Sequence, residues 1–206
     1  MKHLFLIATL VLLVAACNLS SKLKSNNNSN SSSSSESTTG GGEQVEQPNP
    51  TAAQTAALAN GETVKWDQQG ITWTLPPGWK KQEVRNESFS YSGNGAVLIV
   101  AVSVLPQMES LTDASIKAMY EGAKTNQKIG KYDEVRWLAL DGQRGVQFRE
   151  SKPEMADDFR RLQWQAYRKY AGQTQLVNLI LSTNGAAFPK HEDELYAILY
   201  STKLVH

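Results

Sequence analysis

Four groups of side chains in this sequence have types and spacings that could carry chemistry. The first is a lone thiol, Cys17, which closes an apolar run from Leu4 to Ala16. With one cysteine in 206 residues, no intramolecular disulfide, CxxC redox pair or cysteine zinc site can form. The second is a basic and aromatic run containing Arg160, Arg161, Trp164, Tyr167, Arg168, Lys169 and Tyr170. In an extended strand, alternation sets Arg160, Trp164, Arg168 and Tyr170 on one side and Arg161, Tyr167 and Lys169 on the other. Arg, Trp and Tyr are the types most enriched at interface hot spots. Arg160, Arg161, Trp164, Tyr167, Arg168 and Lys169 are therefore the candidate partner-binding residues, for a protein surface, an anionic glycan or a lipid headgroup. The competing reading makes Trp164 a core residue and leaves the charges to protect a strand edge. The third group is His191 with Glu194, three apart and able to share a helix face; it reads as acidic dressing of a helix start. The fourth is Glu150, Glu154, Asp157 and Asp158, which lack EF-hand spacing and read as solvated loop charge. No metal site is expected from either acidic group.

Catalysis fits poorly. Beyond residue 60 the only histidines are His191 and His206, and no Gly-x-Ser-x-Gly elbow occurs. Gly93-Asn94-Gly95 leads into a strand and not into a helix, so it reads as a turn, and no dinucleotide or phosphate loop is present. No catalytic residue and no cofactor is expected.

The N-terminus reads as a targeting device. Met1-Lys2-His3 gives a basic start, and the 13-residue apolar run is shorter than the about 20 residues a membrane-spanning helix needs. Val14-Ala15-Ala16-Cys17 resembles a bacterial lipobox. That resemblance implies diacylglycerol on the thiol of Cys17 and cleavage before it, so that residues 1–16 are a lipoprotein signal peptide. Several acyl chains anchor stably, at about 0.8 kcal/mol per buried CH₂. In the enteric sorting pattern an aspartate after the cysteine favours the inner membrane. Asn18 therefore leans toward an outer membrane if the source has two.

Residues 17–60 are expected to form a disordered tether rich in Asn, Ser and Gly, with too little apolar surface to offset the entropy of ordering. Such a chain spans roughly 35–40 Å. Thr51 to Asn60 is Ala-rich and is a marginal helix at most. The rest, 61–206, suits one domain with one core. Charged residues are 20% and apolar residues 40% of the chain. Twenty-one Lys and Arg against 20 Asp and Glu give a net charge of +1, which excludes a general nucleic-acid binder.

Within the domain, Val64–Asp67 and Ile71–Leu75 read as strands, and Pro76-Pro77-Gly78-Trp79 stops the second. Ser88–Ser92 alternates. Ala96–Leu105, rich in β-branched residues, is expected to be a central strand covered on both faces. Ile116, Met119, Tyr120 and Ala123 mark a helix over 111–125, with Thr112 as its cap. Strands at 133–140 and 144–150 join at Asp141-Gly142, and 160–170 pairs with 174–182 around Ala171-Gly172-Gln173. Pro189 to about Tyr200 is a helix, and Lys203–Val205 a last short strand. Trp66, Trp73, Trp79 and Trp137 are expected in the core. The result is an α+β fold, an antiparallel β-sheet flanked by helices.

The order of these elements, Pro76-Pro77-Gly78-Trp79, and the Gln173–Ser182 strand before a helix carrying Tyr196, Leu199 and Ser201 resemble the PsbP-like family. That family covers extrinsic photosystem II subunits, Ran-binding relatives and bacterial lipoproteins; the likeness spans about residues 62–206. It implies an α/β/α sandwich whose members bind proteins or support assemblies without catalysis. No residue set here matches a photosystem manganese or calcium site, and a fold alone assigns no function.

The leading expectation is a lipid-anchored binding or assembly-support module of the bacterial cell envelope, on the extracytoplasmic side. It would be joined to the membrane through its lipid and to a protein partner through the hairpin, with no enzyme activity. The alternative is a carrier or sensor of a small apolar or lipid ligand held between sheet and helix, favoured by the apolar 96–105 strand. A hydrolase is a third reading.

Overall fold

The three tightest hairpins are set by their two central residues. Asn94-Gly95, Asp141-Gly142 and Ala171-Gly172 all take positive φ at both positions, the geometry whose twist matches that of the paired strands. Asn and Asp tolerate it; Ala171, at φ 48°, does not. Ala171→Gly is expected to raise stability by about 1 kcal/mol, measurable as a higher urea midpoint with an unchanged slope.

The computed structural model describes residues 44–106 and 113–205. The expected leader 1–16, Cys17, residues 18–43 of the expected tether, Thr112 and His206 lie outside the described residues. Within them the order is α1 (Ala52–Ala57), β1 (Glu62–Trp66), β2 (Ile71–Leu75), β3 (Lys80–Val84), β4 (Ser88–Gly93), β5 (Ala96–Val104), α2 (Asp113–Lys128), β6 (Tyr132–Leu140), β7 (Gln143–Glu150), β8 (Phe159–Tyr170), β9 (Gln173–Asn184), α3 (Phe188–Tyr200) and β10 (Lys203–Leu204). Seven strands form one antiparallel sheet in the order β3-β4-β5-β9-β8-β7-β6; β1, β2 and β10 form a second, smaller one. The α+β architecture read from the sequence is the one observed.

The main core lies between the large sheet on one side and α3 with the small sheet on the other. Trp66, Trp73, Trp164, Phe89 and Phe188 are sealed in it. Trp79 is buried there as well, as the strand stop at Pro76–Gly78 implied. Among the described residues the opposite face of the sheet is covered by α2, chiefly over β6 and β7. There Tyr120 and Ala123 meet Val135, Trp137, Val146 and Phe148, with Tyr120 stacked on Trp137 at 4.5 Å.

Three expectations are corrected. The strand at 96–104 is covered on one face, not two: Ala96, Leu98, Val100 and Val102 are buried, while Ile99 is 39% exposed. Strand β3 was not read from the sequence at all. And the ordered domain begins well before residue 61. Glu46 forms a parallel bridge with Leu138, donating to Trp137 O (3.1 Å) and accepting from Ala139 N–H (2.9 Å). Arg136 Nη1 holds its carboxylate at 2.6 Å. Helix α1 is closed by a Thr51–Gln54 capping box and packs on α3, with Leu58 against the core. Packing and a cap supply what so short a helix lacks alone.

Candidate binding face

The β8–β9 hairpin carries the candidate residues, and its alternation divides them as expected, with unequal consequences. Arg160, Trp164 and Arg168 point inward and are not available to a partner. Trp164 is fully buried, its Nε1 donating to Leu138 O at 3.0 Å. Arg168 is 3% exposed; its Nε donates to Gln175 Oε1 (2.9 Å), its Nη2 to Gln69 O (2.8 Å), and its guanidinium lies over Tyr170. Burial lowers the pKa of this cation, with Tyr170 opposing. Arg160 donates to Glu150 O (2.8 Å), pairs with Asp133 and lies over Phe188. These charges are buried because partners are supplied at each, a fact invisible in one strand's sequence.

Arg161, Tyr167 and Lys169 point the other way, onto the sheet face beside α2. Arg161 pairs with Glu150 at 3.0 Å, Tyr167 is half-buried and Lys169 exposed. Register extends this surface across three more strands. Gln165 faces Asn178, Asn178 faces Ala101, and Ala101 faces Ser88. Its centre is apolar, with Val97, Ile99, Leu176 and Ile180; Ser88, Ser90 and Ser92 rim one side, Gln163 and Gln165 the other. Asn178 Oδ1 is a buried acceptor with no hydrogen-bond partner among the described residues. Among the outward positions of β4, β5, β8 and β9 the charged side chains are Arg161 and Lys169, both cationic. The signal that could have found this face was present: the Ser88, Ser90, Ser92 and Gln163, Gln165 alternations flank it.

The titratable residues elsewhere are engaged in holding elements together. His191 and Glu194 are not solvated dressing. His191 is buried, and Glu194 accepts from Trp79 Nε1 (2.6 Å), Asn94 Nδ2 (3.3 Å) and, at 3.3 Å, lies beside His191 Nδ1. A second network ties α3 to β6 and β7. Tyr196 O–H donates to Glu134, and Arg149 reaches Asp133 (2.7 Å), Glu134 (3.5 Å) and Glu192. Arg136 donates to Gln147 (2.6 Å) and Tyr200 (2.5 Å). Burial first, then the Glu134 carboxylate, pushes the Tyr196 pKa far above the ordinary tyrosine value. For Arg149, burial pulls the pKa down, but Asp133, Tyr196 and Glu134 outweigh it and raise it. Glu154, Asp157 and Asp158 are exposed in the β7–β8 loop. Among the described residues no three His, Cys, Asp or Glu side chains gather as a metal-binding group.

Among the described residues several open clefts bear on ligand binding, including one of about 290 Å³ between α2 and the sheet and one of about 330 Å³ beside Lys169 and Gly172. One of about 210 Å³ lies between α1 and α3, lined by Pro50, Leu58, Ala197 and Tyr200; small-molecule sites run from about 300 Å³ upward. A larger one, about 530 Å³, is open and half polar, between Arg85–Ser88 and Ala101–Ser103.

No protein-family profile matches the chain, and no curated protein sequence matches it. Solved structures do. The solution structure of PsbP (CyanoP) from the cyanobacterium Synechocystis sp. PCC 6803 is similar over 70% of this chain and 92% of its own, at 16% identity and a TM-score of 0.48. LpqN of Mycobacterium tuberculosis, described as involved in cell envelope biogenesis, covers 71% of this chain and 86% of its own, at 12% identity and a TM-score of 0.47. The Ran-binding protein Mog1p of Saccharomyces cerevisiae covers 71% and 96%, at 13% identity and a TM-score of 0.41. Each is a likeness of fold alone, at identities that transfer no residue's role.

Proposed function

We propose that this protein is a lipid-anchored binding or assembly-support module on the extracytoplasmic side of a bacterial envelope, acting without catalysis. Cys17 carries the lipid, and the sheet face beside α2 docks a protein. The observation that supports this most is that face itself: an apolar centre of Val97, Ile99, Leu176 and Ile180 beside α2, with Tyr167 next to it and cationic Arg161 and Lys169 at its ends. Contiguous apolar surface with a polar rim marks interaction sites. The partner it fits is an apolar segment; Lys169 and the Glu150-paired Arg161 at its margins add only a weak, salt-screened attraction for acidic side chains. Arg161, Tyr167 and Lys169 are kept as partner residues; Arg160, Trp164 and Arg168 serve the fold.

The test places a photo-crosslinking phenylalanine analogue at Tyr167 in the full chain in its native membrane, with Lys65 on β1 as the control position. A discrete product is expected from Tyr167 and not from Lys65. It should vanish with Ile99→Asp, at an unchanged thermal midpoint, and weaken as salt rises. Identical products from both positions, or persistence in the Ile99→Asp chain, would overturn the docking face. Metabolic palmitate labelling with and without Cys17→Ser tests the anchor separately.

A further inference from the structure

Three large apolar side chains stand in water at one end of the large sheet: Ile129 at 73%, Met155 at 64% and Phe159 at 59% exposure. The strand register puts them past the same set of strand ends. Tyr132, the first residue of β6, is opposite Glu150, the last of β7, and Ile129 precedes Tyr132 by three residues. Leu162 is opposite Arg149, so Phe159 overhangs the end of β7 as well. Met155 lies in the loop between β7 and β8. These loops are bonded to one another and to the fold. Ser151 N–H donates to Lys131 O (3.0 Å), Asp158 N–H to Met155 O (3.2 Å), and Ala186 N–H to Ala156 O (3.0 Å). A Cβ on Gly185 would fall 2.4 Å from Pro153, so the loop is also close-packed there. One exposed apolar side chain needs no explanation; three held at one end do. Exposed Lys128, Lys131 and Lys152 surround them, nearly balanced by Glu154, Asp157 and Asp158.

A second observation points the same way. The bridge from Glu46 to Leu138 is parallel. Strand β6 runs away from the end that carries Ile129, so a segment parallel to it also runs away from that end. At Gln44–Glu46 the chain therefore runs away from the side of the three apolar residues, with Glu46 level with Leu138 near the far end of β6, and Cys17 lies upstream of it in sequence.

We propose that this end is a membrane-contact tip: Ile129, Met155 and Phe159 enter the interfacial layer of the bilayer that holds the lipid on Cys17, with the lysines at the level of the phosphates. This rests on the anchor reading above. Because the local charge nearly cancels, apolar insertion carries the contact, which depends little on anionic lipid or salt. The tip also orients the domain. Strands point toward the bilayer, and the face carrying Ile99 and Tyr167 stands at its side, open to a partner.

The experiment uses the full acylated chain reconstituted into phosphatidylethanolamine–phosphatidylglycerol vesicles, since the acylated Cys17 leaves any added cysteine as the only thiol. Met155→Cys and Phe159→Cys are labelled with an environment-sensitive fluorophore; Gln173→Cys, at the opposite end of the sheet, is the control. Labels at 155 and 159 are expected to be quenched by lipid-borne nitroxide and shielded from aqueous iodide, and the label at 173 the reverse. Adding Ile129→Ser to the Met155→Cys chain should restore iodide access. Iodide access at 155 and 159 equal to that at 173, on a chain that carries palmitate, overturns the tip alone. Shielding that occurs in native membranes but not in lipid vesicles assigns the cover to a protein and also overturns it. A chain without palmitate overturns the anchor and the tip together.

Discussion

Gly145→Ala is expected to cost about 3 kcal/mol or more, at the upper end of what overpacking a core costs. Gly145 sits in β7, between β6 and β8, opposite Leu138. The indole of Trp164 on β8 crosses directly over it so that Nε1 can reach Leu138 O on β6. A Cβ at 145 would fall 2.5 Å from Trp164 Cε2, 2.6 Å from Nε1 and 2.6 Å from Gln165 O. None of these can retreat: Trp164 is fully buried, and the Gln165 carbonyl belongs to a central strand. Urea unfolding of the full chain is the measurement. Trp164→Leu alone should cost about 3 kcal/mol, as large-to-small core changes do. In that background Gly145→Ala should cost about 1 kcal/mol less than by itself, because the indole half of the collision is gone and the carbonyl half remains. A Gly145→Ala chain as stable as the parent, or two costs that simply add, would show that the indole does not lie across the glycine.

That contact was half legible. Trp164, Leu162 and Ala166 could be placed on one side of a strand by alternation, and the hairpin turns by their dipeptides. Which glycine an indole would cross depends on register between strands about 20 residues apart in sequence, and no local pattern encodes it. Strand β3 was missed for a related reason. Lys80-Lys81-Gln82-Glu83 offers no apolar period, because this edge strand is held by backbone pairing to β4 and has little to bury. Residues 44–60 read as tether on composition, yet Glu46 is fixed by two backbone hydrogen bonds that any residue but proline could make. The error at β5 had the opposite source. Val97, Ile99 and Ala101 look like core in a run of β-branched residues, yet among the described residues α2 lies chiefly over β6 and β7 and leaves Ile99 exposed and Val97 and Ala101 half-buried. The outward residues of the proposed docking face were thus hidden by being too apolar. The cations Arg160 and Arg168 were over-read, because the groups that satisfy them come from other elements: Glu150 at the end of β7, Gln175 on β9 and Gln69 in the turn before β2.

Tyr196→Phe is expected to cost about 2 kcal/mol at neutral pH and to flatten the alkaline limb of the stability curve. The neutral cost is that of a hydrogen bond to a charged group, since the hydroxyl donates to Glu134 while Arg149 Nη1 approaches it at 3.4 Å. The alkaline effect follows from linkage. Burial, then the negative Glu134, raises the folded-state pKa of Tyr196 far above its ordinary value near 10, with Arg149 and Arg136 only partly opposing. A raised pKa means that the folded chain keeps a proton which the unfolded chain gives up. The stabilisation is therefore fully present below about pH 10 and is lost as pH rises from there toward the folded-state value, at up to about 1.4 kcal/mol per pH unit. Tyr132 and Tyr200 are shifted in the same direction, in each case chiefly by burial. The Tyr196→Phe chain should therefore still show a residual alkaline slope. Urea midpoints measured from about pH 7 to 11.5 should fall steeply above pH 10 for the parent and less steeply for Tyr196→Phe, the two curves converging as pH rises. Parallel curves over that range would mean that the Tyr196 hydroxyl is solvated and that α3 is not tied to β6 through it.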